Sequence, residues 1–118
     1  LSVRRGSTAP FVWASVAALK HLRGEWSEGA GARKGVGLAV YHAMCELANE
    51  DFARTKVHAD SGQFKTSRGE ICDRSGYSDK PVDKALRELE RIGLIGVDRN
   101  NQEAGKRAGA ISSYVLFE

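Results

Sequence analysis

Cysteine is nearly absent from this 118-residue chain: Cys45 and Cys72 are the only two. Each falls inside a helical pattern, so they read as two reduced, mostly buried thiols of a cytoplasmic protein; a single bridge would not define a fold with a normal core. Long apolar runs are missing too. The longest, "PFVWASVAAL", stops after ten residues at Lys20, too short to span a bilayer. Arg4 and Arg5 upstream make it mimic a signal peptide, but "LKHLRGEW" offers no cleavage context, so no membrane partner is expected. No Walker sequence, nucleophile elbow or dinucleotide fingerprint occurs despite 13 glycines, and the three histidines form no HExxH. His42, Cys45, His58 and Cys72 lack the spacing of a metal site. The expectation is a protein that is not an enzyme and has no cofactor, metal or small-molecule ligand.

What is present suits one modest globular core, with 42% apolar and 28% charged residues. A net charge of +3 and a pI near 9.0 permit an anionic partner but fall far short of a histone-like charge density. The arrangement of charge must therefore carry any argument about nucleic acid. The first 34 residues hold six basic and two acidic side chains. They read as a basic arm, a helix over about 10 to 23 with Thr8 or Ser7 as cap and Pro10 in its first turn, and the Gly-rich polar linker "RGEWSEGAGARKG". Phe11, Val12, Trp13, Val16 and Leu19 offer more apolar surface than one docked helix needs, so this helix either makes a homodimer contact or caps its own core.

A second helix, the most buried, is expected over about 36 to 50, where Leu38, Val40, Tyr41, Met44, Cys45, Leu47 and Ala48 form a broad apolar face. Residues 51 to 65 show a turn signal at Asp60-Ser61-Gly62 and short extended pieces at Val57 and Phe64. Ser67 followed by Glu70 is a capping box, so a helix runs from there to about Arg74. Ser75-Gly76-Tyr77 makes a turn. Ser78 caps a further helix over about 79 to 92, with Pro81 in the first turn, Gly93 as terminator and Leu94 folding back on the last turn. "LIGVDR" and "AISSYVLF" read as strands joined by the loop "NNQEAGKRAG".

Projected at about 100° per residue from Lys80, Lys84 falls near 40°, Arg87 near −20° and Arg91 near 20°. Val82, Ala85, Leu86, Leu89 and Ile92 lie opposite, between about 120° and 240°. Lys80–Lys84 and Arg87–Arg91 are like-charged i,i+4 pairs, each mildly unfavourable in isolation. A phosphate-rich partner accounts for a stripe that local energetics disfavour.

The stretches "SRGEICDRSGYS", "PVDKALRELERIGLI" and "SSYVLF" resemble the winged helix-turn-helix family of bacterial DNA-binding domains, as found in transcription regulators and in replication or phage proteins of mobile elements. The resemblance covers about residues 36 to 117. It implies a mainly α fold with a small β-hairpin wing (α+β): a winged helix-turn-helix domain over 36–118 and an added N-terminal helix within 1–35. By position, Ser78, Lys80, Asp83, Lys84 and Arg87 are implied as base or phosphate contacts of a helix in the major groove. Ser67 and Arg68 are implied as backbone contacts, and Arg99, Lys106 and Arg107 as contacts of the wing. Pro81 departs from the family pattern, where Thr or another polar residue is common, and removes a hydroxyl from the helix start. The function implied is sequence-specific binding of double-stranded DNA by a small cytoplasmic transcriptional regulator of a bacterium or mobile element. The alternatives are a winged-helix protein-interaction module and the DNA-binding domain of a replication or partition protein.

Overall fold

The computed structural model describes residues 1–5, 14–98 and 111–118. Its described residues form helices α1 (Val16–Glu25), α2 (Lys34–Arg54), α3 (Lys56–Ser61), α4 (Arg68–Ser75) and α5 (Asp79–Arg91), and strands β1 (Gln63–Ser67), β2 (Ile95–Val97) and β3 (Ile111–Leu116). The architecture is mixed α+β, five helices against a small antiparallel sheet in the order β1-β3-β2.

Helix α2 is the spine. Val40, Tyr41, Met44, Cys45 and Ala48 are fully buried along it, and it packs against α1, α3, α4, α5 and β1. Burial pushes the Cys45 thiol up to about 11. The helix is longer than its apolar pattern implies. Its last turn is held by Asp51, a buried carboxylate that accepts from His58 Nδ1 at 2.6 Å and from the Lys65 backbone N–H at 3.3 Å. These bonds tie α2 to α3 and β1.

Two expectations for residues 51 to 65 separate here. Phe64 is extended and buried in β1, its ring 6.1 Å from Phe52 and 6.0 Å from Tyr114. Val57, expected as extended, lies in α3 and is exposed. A six-residue helix with no buried residue has no apolar period to read; it is defined instead by Gly62, whose φ of 80° and N–H bond to the His58 carbonyl at 2.8 Å end it.

Helix α1 begins at Val16, where Ser15 Oγ accepts from the Ala18 N–H at 3.1 Å; the expected Ser7 or Thr8 cap lies outside the described residues. The expected start at Pro10, with Phe11, Val12 and Trp13, lies outside the described residues. Within α1, Ala18 and Leu22 enter the core while Val16 is exposed. The "linker" after α1 is packed. Trp26 is buried over Gly37, where an added Cβ would lie 2.5 Å from the indole ring, and its Nε1 donates to the Ala32 carbonyl at 3.0 Å. No side chain larger than hydrogen fits on α2 at that contact.

The N-terminal segment completes the sheet. Ser2 and Glu118 exchange backbone hydrogen bonds at 2.9 and 2.8 Å, Val3 bridges Phe117, and the Arg4 N–H donates to the Leu116 carbonyl at 2.7 Å. Arg4 is fully buried, with Nη2 on Asn49 Oδ1 at 3.2 Å and Nη1 3.6 Å from Glu118 Oε2. The described parts of 1–35 thus share one core with 36–118.

Candidate nucleic-acid interface

Local chemistry positions α4 and α5. Ser67 Oγ accepts from the Glu70 N–H at 3.2 Å, the backbone half of the expected capping box. Gly76, with φ 81°, ends α4 through its N–H bond to the Cys72 carbonyl at 2.9 Å. Ser78 occupies the cap position of α5, but its hydroxyl makes no capping hydrogen bond. Pro81 begins the second half of the first turn, where an N–H would have no helical acceptor. At the far end Gly93 has φ 81° and donates to the Glu90 carbonyl at 3.1 Å, and the Leu94 N–H reaches the Leu89 carbonyl at 2.9 Å. This is the paired bonding of a Schellman termination, and it drives Leu94 into the core.

Val82, Ala85, Leu86 and Leu89 are the buried face of α5, with Glu88 beside them at 5% exposure. On the opposite face Lys80, Lys84 and Arg87 are exposed. Asp83 stands between two guanidiniums: Oδ1 is 3.0 Å from Arg68 Nη2 and Oδ2 is 3.0 Å from Arg87 Nη2. One carboxylate shared by two cations leaves this corner net positive. The Arg87 side chain stays 78% exposed, so its pairing is solvent-screened and easily exchanged.

Arg91 behaves differently from its place on the projected stripe. Its Nε and Nη2 bind Glu88 at 2.7 and 2.5 Å, and Nη2 also donates to the Glu25 carbonyl at 2.9 Å. Glu88 in turn accepts from the Ser27 N–H at 2.7 Å. Arg91, its side chain still 55% exposed, therefore serves as a clamp from α5 to the end of α1, whereas no hydrogen bond or salt bridge ties Lys80, Lys84 or Arg87 of the stripe to another helix among the described residues. These bonds hold the Glu88 carboxyl below the usual carboxylate range, chiefly through Arg91. On α4, Arg74 is similarly committed: it grips Glu50, with Nη2 2.9 Å from Oε1, and lies 3.4 Å from Glu46, which ties α4 to α2.

The sequence-predicted site residues thus divide. Ser67, Arg68, Ser78, Lys80, Asp83, Lys84 and Arg87 belong to one region, the starts of α4 and α5 and the outer face of α5. Arg99, Lys106 and Arg107 lie outside the described residues. The four metal-type side chains are dispersed: His42 pairs with Glu46 at 3.6 Å, His58 with Asp51, Cys45 is in the core, and Cys72 Sγ donates to Asp79 Oδ1 at 3.4 Å. Among the described residues no three His, Cys, Asp or Glu are grouped to hold a metal ion. Nor is any described helix long and apolar enough to cross a membrane.

Sequence reasoning passed over one neighbour of this region. Gly31, in the segment after α1, has φ 81°, and an added Cβ there would lie 2.8 Å from Lys84 Cδ. The segment therefore abuts the outer face of α5; the signal in the sequence was Trp26, an aromatic too large to sit idle in a linker. In comparisons with protein-family models, curated proteins and solved structures, nothing matches the chain.

Proposed function

We propose that this protein binds double-stranded DNA sequence-specifically through α5, as a winged helix-turn-helix domain of a small bacterial or mobile-element transcriptional regulator. The observation that carries the reading is the outer face of α5, where Lys80, Lys84 and Arg87 project together from a helix whose other side is locked into the core. Supporting it are the chain order, with α4, a tight turn and α5 followed by β2 and β3, and the antiparallel pairing of those two strands within the sheet order β1-β3-β2. Both fit the architecture that the sequence resemblance implies.

The mechanism is occupancy of a duplex site rather than catalysis. Arg87, long and planar, can pair in a bidentate manner with guanine O6 and N7. Lys80 and Lys84 are point charges suited to phosphates on either wall of the groove. Arg68, at the start of α4, reaches the flanking backbone once it leaves Asp83.

Fluorescence anisotropy with random and selection-enriched duplexes at about 50 and 200 mM salt tests the proposal, since binding by several phosphate contacts should weaken by orders of magnitude across that range. Salt-sensitive binding that Arg87→Ala reduces is expected. No binding to any duplex at low salt would overturn the reading, and capture of an acidic protein by the same face would favour a protein-interaction module.

A further inference from the structure

We propose that the last turn of α1, the segment joining it to α2 and the first residue of α2 form a second phosphate-binding surface, so that duplex DNA engaged by α5 also runs over Arg23, Arg33 and Lys34. The inference rests on the DNA-binding reading of α5. It adds a contact surface that neither the resemblance nor the basic stripe of α5 assigns.

Three observations carry it. First, the segment is continuous with the outer face of α5. The positive φ of Gly31 and the absence of a side chain let the backbone press on the stem of Lys84, within 3.4 Å of Cε and 3.5 Å of Nζ as measured from an ideal Cβ position. The Lys84 ammonium is therefore at the edge of this segment.

Second, the segment is rigidly placed. Trp26 Nε1 bonds the Ala32 carbonyl, and the Ser27 N–H bonds buried Glu88 on α5. Cations carried by a fixed backbone lose less freedom on meeting a ligand than those of a loose linker.

Third, an open groove here is lined by Arg23, Arg33 and Lys34 on a floor that includes Trp26, with Glu28 as the acid facing it. Lys34 Nζ donates to the Arg23 carbonyl at 2.7 Å, which orients the ammonium without neutralising it. Among the described residues, salt bridges engage Arg4, Arg54, Arg68, Arg74, Arg87 and Arg91 but none of Arg23, Arg33, Lys34 or Lys84. With Lys84 at its edge, the groove holds four cations against one acid. Phosphates are the fitting ligand because an excess of cations in an open groove suits an anionic backbone, and a duplex in contact with α5 brings a phosphate row past the groove's edge.

The test uses the full chain with Arg23→Gln, Arg33→Gln and Lys34→Gln combined, measured on cognate and scrambled duplexes at several salt concentrations. Each lost phosphate contact should reduce the magnitude of the salt slope by about 0.9, so a fall of roughly two to three is expected. Affinity for both duplexes at low salt should fall together, by roughly ten- to a hundredfold, leaving their ratio unchanged. An unaltered thermal midpoint confirms that the variant is folded. Hydroxyl-radical footprinting of wild type should show protected sugars beyond the α5 site on one side, which the variant loses. If wild type binds and Arg87→Ala weakens it while the triple variant keeps the wild-type slope and footprint, this inference is overturned and the DNA reading stands. If wild type binds no duplex, both fall.

Discussion

Arg87 and Arg91 sit one turn apart on the same stripe of the same helix, yet the structure uses them in opposite ways. Arg87 leans on Asp83 from an exposed position, at 3.0 Å, with solvent around its guanidinium. Arg91 is drawn into a clamp of Glu88, the Glu25 carbonyl and, through Glu88, the Ser27 N–H. The outer face of α5 is open as far as Arg87 and fastened at Arg91. The difference lies in the acid beside each arginine: Asp83 is short and sits at the rim of the helix packing, whereas Glu88 is buried against α1 and the segment after it. A projected charge stripe counts cations; only the opposing elements decide which remain available.

The largest expected effect comes from breaking the fastened end. Leu89 is fully buried, and Leu89→Ala should cost about 2 to 5 kcal/mol in chemical denaturation. Arg87→Ala should leave stability nearly unchanged and cost about 1 to 3 kcal/mol in cognate binding by anisotropy. Arg91→Ala should do the reverse, with a binding loss well below that of Arg87→Ala. Equal binding losses for the two would dissolve the contrast.

Glu88 sharpens the contrast through pH. Its folded-state carboxyl is held below the ordinary value near 4.5, so its pairing stabilises the fold above that value and is lost as pH falls through the lower folded one. Wild type should therefore lose more stability than Glu88→Gln in the acid range below about pH 4.5, and the gap between the two should close there. Urea titrations at a series of pH values measure it. A gap unchanged down to pH 2 would mean that the clamp owes nothing to the carboxylate charge.

The smallest effect, and the finest probe of the open face, is Asp83→Asn. Releasing Arg68 and Arg87 from a shared carboxylate should steepen the salt slope by about one and raise affinity for scrambled duplexes more than for cognate ones. A fall in affinity on cognate DNA alone would instead give Asp83 a base contact of its own, as acceptance from cytosine would do.

Much of this region could be read from local chemistry. Ser67, Gly76 and Gly93 mark helix ends because capping and left-handed termination involve residues within a turn of one another. The buried face of α5 follows from periodicity. Ser78 was legible as a cap position but not as a hydroxyl without a capping bond, since that depends on side-chain orientation. Helix α3 had no apolar face to announce it, and the segment after α1 looked like a linker because its partners, Gly37 on α2 and Glu88 on α5, are distant in sequence.

The amino-acid sequence by itself determined where α4 and α5 begin and end, which side of α5 is buried, and that strands follow it, because caps, turns and periodicity act over a few residues. Tertiary structure alone decided that Arg91 is a clamp, that Asp83 bridges Arg68 to Arg87, and that the segment after α1 lies against Lys84. Charge pairing and close backbone approach act through space, and the residues they join here are up to 66 positions apart.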